Sequence, residues 1–368
     1  MGLQDAAPLI QKVSPLPVPP FLLSNAIYDA LAEDLPPNAQ VVQPLSSWAF
    51  ARKKENGEKL PITIAHRGYK AKHPENTLDS FCAAMEAGAH ALETDIHTTK
   101  DEVLVLSHDP TLKRCFGKDD KISDCTWEYI SQQRTIQEPH EPMPRLQDLL
   151  QVLASPGNEN IWLLLDIKLD NNASTVMRLI SQTVNAAPPS STRQWSSRIV
   201  LGIWAAKYLP LCAEHLPTFP VTHIGFSTSY ARQFLSVPNI SFNMLQKSLL
   251  MPYFGRRFIR DVKAKGRPIF VWTVNEESAM QWSISKGMDG VITDDPKKFL
   301  EVCDKWEKGK KNFSMTRGQW LTTAWINFMI LIFGAIFYWK YGGIDKRKEK
   351  ESSTKTAAKK NQEDVPSI

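Results

Sequence analysis

The chain has 368 residues, 42% hydrophobic and 23% charged, with 17 Gly and 25 Pro; this excludes a collagen-like or wholly disordered polymer and leaves ample length for a large core. The net charge is +5, but residues 304–368 hold 13 of the 44 Lys and Arg and 7 of the 39 Asp and Glu, so the first 303 carry 31 against 32. A near-neutral globular part gives no electrostatic footprint for nucleic acid.

The N-terminus, MGLQDAAPLIQKVSPLPVPP, has no apolar run of signal-peptide length, and Ala6 stands where a myristoylation signal requires Ser or Thr. The folded part is therefore expected to stay in the cytosol. Residues 1–60 read as a partly disordered N-terminal extension, with a short helix expected around Phe21 to Leu35. Five scattered cysteines, Cys82, Cys115, Cys125, Cys212 and Cys303, form no C-x-x-C pair. They make neither a disulfide framework nor a zinc site.

From Pro61 to Cys303 short apolar runs alternate with helical patterns, as in βα units. Strands are predicted at Ile62 to Ala65, Ala91 to Ile96, Val103 to Ser107, Trp162 to Ile167, Ile199 to Ile203, Val221 to Phe226, Ile240 to Asn243, Ile269 to Thr273 and Gly290 to Thr293. The turn-like residues between the second and third are too few for a parallel crossover, so Val103 to Ser107 must return antiparallel as a hairpin. Eight strands remain, the number of a TIM (β/α)8 barrel.

After a basic linker, residues 304–317, come 22 consecutive uncharged residues, Gly318 to Trp339. As a helix this run is about 33 Å long, enough for a hydrocarbon core. Trp320 and Trp325 at one end and Tyr338, Trp339 and Tyr341 at the other match interfacial aromatic belts. A transmembrane helix over 318–340 is predicted, followed by a basic disordered tail, 341–368. Basic residues crowd both flanks, so orientation is open between them; without an N-terminal signal the expectation is a single-pass tail anchor, in the mitochondrial outer membrane, the endoplasmic reticulum or a lipid-droplet surface.

Barrel active sites form at the C-terminal ends of the strands, which makes the polar residues there informative. The first strand ends in His66-Arg67-Gly68, the second carries Glu93-Thr94-Asp95, the hairpin ends in His108-Asp109, and the next strand ends in Asp166-Ile167-Lys168. The i, i+2 spacing aims Glu93 and Asp95 to one side of a strand, and likewise Asp166 and Lys168. Three carboxylates at one mouth suit one hard divalent cation, Mg2+ or Ca2+. His66 and His108 suit a general acid and base, and Arg67 and Lys168 suit an anionic oxygen. That inventory describes phosphodiester cleavage, in which cations neutralise the phosphoryl oxygens while one histidine takes a proton and the other gives one. Taken singly, each motif is as well explained by loop structure.

The stretches AHRGYKAKHPENTLDSF and GAHALETDIHTTKDEVLVLSHDPTLKR resemble the glycerophosphodiester phosphodiesterase family, as do MPRLQDLL, WTVN and DGVITDDP. The resemblance covers about Pro61 to Cys303 and implies a TIM barrel, His66 and His108 as acid and base, Glu93, Asp95 and Asp166 toward the metal, and Arg67 and Lys168 on the phosphate. Most family members have Glu where this chain has Asp166, which implies looser or water-mediated ligation there. LLLDIKL, GIW, VWTVN and ITDDP look more like the fungal phosphatidylglycerol-specific phospholipase C branch, whose members pair this domain with a C-terminal membrane segment. The resemblance thus implies a glycerophospholipid substrate; from the site outward, Trp272 with a rim of apolar side chains such as Trp204 or Phe226 is placed to pack on its glycerol carbons or lipid, with buried barrel packing as the competing reading. Two alternatives stand beside it: a glycerophosphodiesterase of deacylated phospholipids, and an inactive lipid-binding or tethering barrel. No protein partner is inferable.

Overall fold

The computed structural model describes residues 43–45, 50–53, 57–190, 192–307 and 316–344. The helix expected around Phe21 to Leu35, and the tail beyond Ile344, lie outside them. A two-stranded ribbon, β1 (Arg52–Lys53) and β2 (Lys59–Leu60), leads into β3 (Ile62–His66). There follow β4 (Ala91–Thr98), β5 (Leu104–Leu106), β6 (Trp162–Ile167), β7 (Ile199–Ile203), β8 (Val221–Gly225), β9 (Ser241–Leu245), β10 (Ile269–Trp272) and β11 (Gly290–Thr293). All nine predicted strands are present, three of them to the residue.

Strands β3, β4, β6, β7, β8, β9, β10 and β11 pair in parallel in that order, and β11 closes back on β3 through Val291↔Thr63 and Thr293↔Ala65. The result is a closed eight-stranded TIM barrel. Strand β5 pairs antiparallel with the end of β4, Ile96 facing Leu106 and Thr98 facing Leu104, as the short connection requires.

Alternation along the strands divides the core in two. Ile62, Ile64, Ala91, Trp162, Leu164, Val200, Ile224, Phe270 and Ile292 fill the barrel interior, whereas Leu92, Ile96, Leu163, Leu165, Ile167 and Leu201 join the outer layer of helices. Leu45 and Phe50, from the end of the N-terminal extension, pack on the interior cluster. Because the period is two, the inward column Ala91, Glu93, Asp95 climbs from apolar to acidic, and Trp162, Leu164, Asp166 does the same beside it. The register sets Asp95 directly opposite Asp166 and His66 opposite Glu93.

The apolar C-terminal run forms a single helix, Arg317–Tyr341, opened by Thr316, whose hydroxyl accepts from the Gln319 N–H while Gln319 answers the Thr316 N–H. It is long and apolar enough to cross a bilayer. It also touches the barrel along its length.

Candidate active site

The sequence His66-Arg67-Gly68 builds a tight turn at the end of β3. Gly68 has φ +83°, and a Cβ there would fall 2.7 Å from the Ser80 backbone, so glycine is required twice over. Arg67 also adopts φ 57°, which turns its N–H onto the Glu93 carbonyl at 2.9 Å and onto Glu93 Oε2 at 3.1 Å. The turn thus holds an acid before any ligand arrives.

Glu93, Asp95 and Asp166 are buried, with one carboxylate oxygen from each lying within 4.8 Å of the others. Lys168 Nζ sits between Asp95 Oδ1 and Asp166 Oδ2, 2.7 Å from each, and Arg67 Nε lies 3.2 Å from Asp95 Oδ2. Burial opposes ionisation of Asp95, but Lys168, Arg67 and His108 outweigh it and hold the carboxyl well below its usual range. Glu93 goes the other way: burial and the charges of Asp95 and Asp166 push its carboxyl well above the ordinary value. Buried among other carboxylates, Glu93 needs a proton or a cation beside it. The all-oxygen donor set fits a hard divalent ion such as Mg2+ or Ca2+.

Each histidine has a carboxylate on its Nδ1. His66 Nδ1 lies 2.6 Å from Asp294 Oδ1 and its Nε2 is 4.0 Å from Glu93 Oε2; His108 Nδ1 lies 2.7 Å from Asp109 Oδ1. A carboxylate only accepts, so Nδ1–H donates in both and Nε2 is the atom left for substrate. Asp294 is in turn held by Asn275 Nδ2 at 2.7 Å. Burial lowers the His66 pKa by more than the Asp294 hydrogen bond raises it. Asp109 accepts from Arg114 Nε at 2.6 Å, and the same guanidinium grips both oxygens of Glu75 at 2.7 and 2.8 Å. Glu75 also takes Arg67 Nη1 at 2.9 Å, so one acid ties the two histidine-bearing loops together.

All predicted site residues except Trp272 therefore converge on one polar cluster. Trp272 stands edge-on to Trp204, ring centroids 5.8 Å apart, and donates to the Asn243 carbonyl at 3.1 Å. Sequence reasoning gave no partner role to Asp294 and Asn275 under His66, to Arg114 and Glu75 behind His108, or to Trp204, whose indole donates to Asp166 Oδ1 at 2.7 Å. Both oxygens of the shorter Asp166 are thus engaged by the protein. Asn76, with φ 55°, ties its loop to β4 by donating to Asp95 Oδ2 and accepting from Thr94. His73 turns to Asp79 at 2.6 Å, and buried His97 lies beneath the His108 carbonyl at 3.4 Å. A cavity of about 530 Å³ opens beside it, lined among others by Pro110, Lys121, Asp170 and Asn171.

Residues 66–298 match the model of the glycerophosphoryl diester phosphodiesterase family. The chain belongs to this family. A glycerophosphodiester phosphodiesterase of Caldanaerobacter subterraneus is 26% identical over 248 residues, covering 66% of this chain and 98% of that protein. Human lysophospholipase D GDPD1 is 24% identical over 274 residues, 65% of this chain and 84% of its own. Among solved structures, a glycerophosphodiester phosphodiesterase from Parabacteroides distasonis superposes with TM-score 0.57 at 24% identity, and an Oleispira antarctica phosphodiesterase in complex with the product sn-glycerol-3-phosphate with TM-score 0.59 at 21%. Each covers 67% of this chain and 98% of its own; at these identities the likeness shows the fold. Family membership makes the chain a phosphodiesterase hydrolase, and Glu93, Asp95 and Asp166 are the acids able to hold its divalent ion.

Proposed function

We propose that this enzyme is a phospholipase C that hydrolyses phosphatidylglycerol to diacylglycerol and glycerol phosphate. The observation that carries the reading is the pairing of a glycerophosphodiesterase site with an apolar helix packed on the same barrel. A glycerophosphodiesterase recognises glycerol joined through phosphate to an alcohol; in phosphatidylglycerol the head group supplies that glycerol phosphate and diacylglycerol is the leaving alcohol. The basic residues flanking the helix suit the anionic lipid.

Glu93 and Asp95, with Asp166 behind them, would hold a divalent ion that withdraws charge from the phosphoryl oxygens. Arg67 and Lys168 add fixed positive charge to the same oxygens. The free glycerol hydroxyl next to the phosphate ester attacks phosphorus in line, and one imidazole takes its proton at Nε2 as the P–O bond to diacylglycerol breaks. The other imidazole protonates the departing oxygen. Water then opens the cyclic glycerophosphate with the two histidines in exchanged roles, so that proton balance is restored. Asp294 and Asp109 fix the tautomers that this exchange needs.

A second reading rests on the relatives named lysophospholipase D, in which the head-group alcohol leaves instead. Purified full-length protein, assayed on phosphatidylglycerol, lysophospholipids and soluble glycerophosphodiesters, separates the two. Diacylglycerol release from phosphatidylglycerol is expected; turnover confined to lysophospholipids or soluble diesters rejects the proposal.

A further inference from the structure

The helix Arg317–Tyr341 runs along the rim of the barrel across the ends of four successive strands. Gln319 donates to Glu276 beyond β10 at 3.2 Å, and Asn327 donates to the Lys247 carbonyl beyond β9 at 2.9 Å. Gly334 lies so close to Ser227 beyond β8 that a Cβ would come within 2.9 Å of its Oγ. Phe337 packs edge-on against Phe226 and Tyr230, centroids 5.7 and 4.9 Å apart, and Lys207 beyond β7 sits 5.6 Å from the Tyr341 ring. The catalytic acids sit toward the C-terminal ends of β4 and β6, on the same face of the barrel.

Gln319, Thr323, Asn327 and Gly334 put polar or small groups into this seam beside half-buried Ile326 and Ile330, with Phe337 joining them near the end. The opposite face exposes Leu321, Trp325, Phe328, Leu331, Phe333 and Trp339. A helix on a water-facing rim turns its apolar stripe inward. Here the outward face is apolar as well, and only 17% of the apolar window is buried, a surface suited to an apolar medium. Tyr253 and Phe254, 65% and 60% exposed, extend the patch beyond the short helix Gln246–Leu249 on which the seam packs.

We infer that the helix lies in the plane of a lipid surface, with the barrel mouth held at that surface, and does not cross the bilayer. A span needs about 20 residues clear of water-soluble structure, whereas here barrel contacts recur from Gln319 to Tyr341 and leave no such stretch. The aromatic ends and the basic flanks, Arg317 and Lys340, suit contact with the head-group layer of an anionic lipid surface. The catalytic consequence rests on the lipid-substrate reading above: a head group enters the mouth while the acyl chains stay in the layer, and diacylglycerol departs within it.

The test uses the full chain in sealed microsomes, with an N-glycosylation acceptor and an epitope added to the C-terminal tail. An in-plane helix leaves the acceptor unmodified and the epitope open to added protease, on the side of the barrel. A glycosylated or protected tail beside an accessible barrel overturns the inference, whatever the enzyme's substrate. Gly334→Leu pushes the helix off Ser227. On vesicles of phosphatidylcholine and phosphatidylglycerol its turnover should fall by about tenfold or more, since surface tethering raises effective concentration by at least that much, while turnover of soluble glycerophosphoglycerol is unchanged. Equal loss on both, or loss on neither, overturns the role given to the seam. Wild-type protein inert on phosphatidylglycerol but active on the soluble diester refutes the substrate reading alone and leaves the topology result to decide this one. A discrete detergent dimer that cross-links through Leu331→Cys assigns the outer face to a second copy and overturns the lipid assignment.

Discussion

His66 Nδ1 and Asp294 Oδ1 are 2.6 Å apart, although 228 residues separate them in the chain. Closure of β11 on β3 brings them together, and the hydrogen bond leaves His66 Nε2 as the reactive nitrogen. Asp294→Asn removes the charge that fixes this tautomer while keeping the side-chain shape. kcat should fall by about 10²-fold or more with KM little changed, the scale of a lost acid–base orientation. Equal kcat values for the two proteins would show that Asp294 is a structural acid.

That pair also shows what was and was not legible from sequence. Strand positions were legible because buried parallel strands are apolar runs such as LLL before Asp166, and the acid pair because i, i+2 spacing survives in any strand. The partners were not. TDDP contains Asp294 and Asp295 side by side, yet only the structure distinguishes the first as a histidine partner from the second, which caps the helix Pro296–Asp304 by accepting from the Lys298 N–H. Trp204 reads as an apolar rim residue until its indole is found on Asp166. Hydropathy likewise reports that the C-terminal run is long enough to span, but it is blind to Asn327 and Gly334 as a seam.

The buried acids give a metal prediction that needs no turnover. Binding to the folded state alone raises stability by an amount that grows with ligand concentration, about 2.7 kcal/mol at a hundredfold excess over Kd. Chelation should therefore abolish activity and lower Tm, and one of Mg2+ or Ca2+ should restore both. Glu93→Gln is expected to flatten the metal-dependent rise in Tm. A rise of wild-type size in that variant would place the ion elsewhere.

Arg114 tests the link between the two histidine loops. Its guanidinium spans Asp109 and Glu75, and although burial works against ionisation, this hydrogen bond, with Arg67 and Lys70, lowers the Glu75 pKa to about 2. Arg114→Ala frees Asp109 from its far side, so His108 loses orientation and kcat should drop by about tenfold or more. Arg114→Lys supplies charge but not the two-sided fork, so it should restore stability better than kcat. Full recovery of kcat in the lysine variant would reduce the residue to a source of charge.

His223 sets an acid limit on stability away from the site. Its ring, on β8, is fully buried, stacked on Phe234 with centroids 4.0 Å apart and planes at 13°, and near Tyr230, whose own pKa is raised to about 12, so no charge faces it there. Burial pushes the imidazole pKa down from 6.5 to about 3. The folded state then keeps His223 neutral while the unfolded chain protonates it near 6.5. Stability from this group is complete above that value and is lost as pH falls from 6.5 toward 3, by about 1.4 kcal/mol per pH unit. His223→Phe keeps a stacked ring without the titration. Urea unfolding in detergent at pH 7 and pH 5 should show the wild type losing about 2 kcal/mol more than the variant over that interval. Parallel losses in the two proteins would mean that His223 is protonated, or reached by water, in the folded barrel.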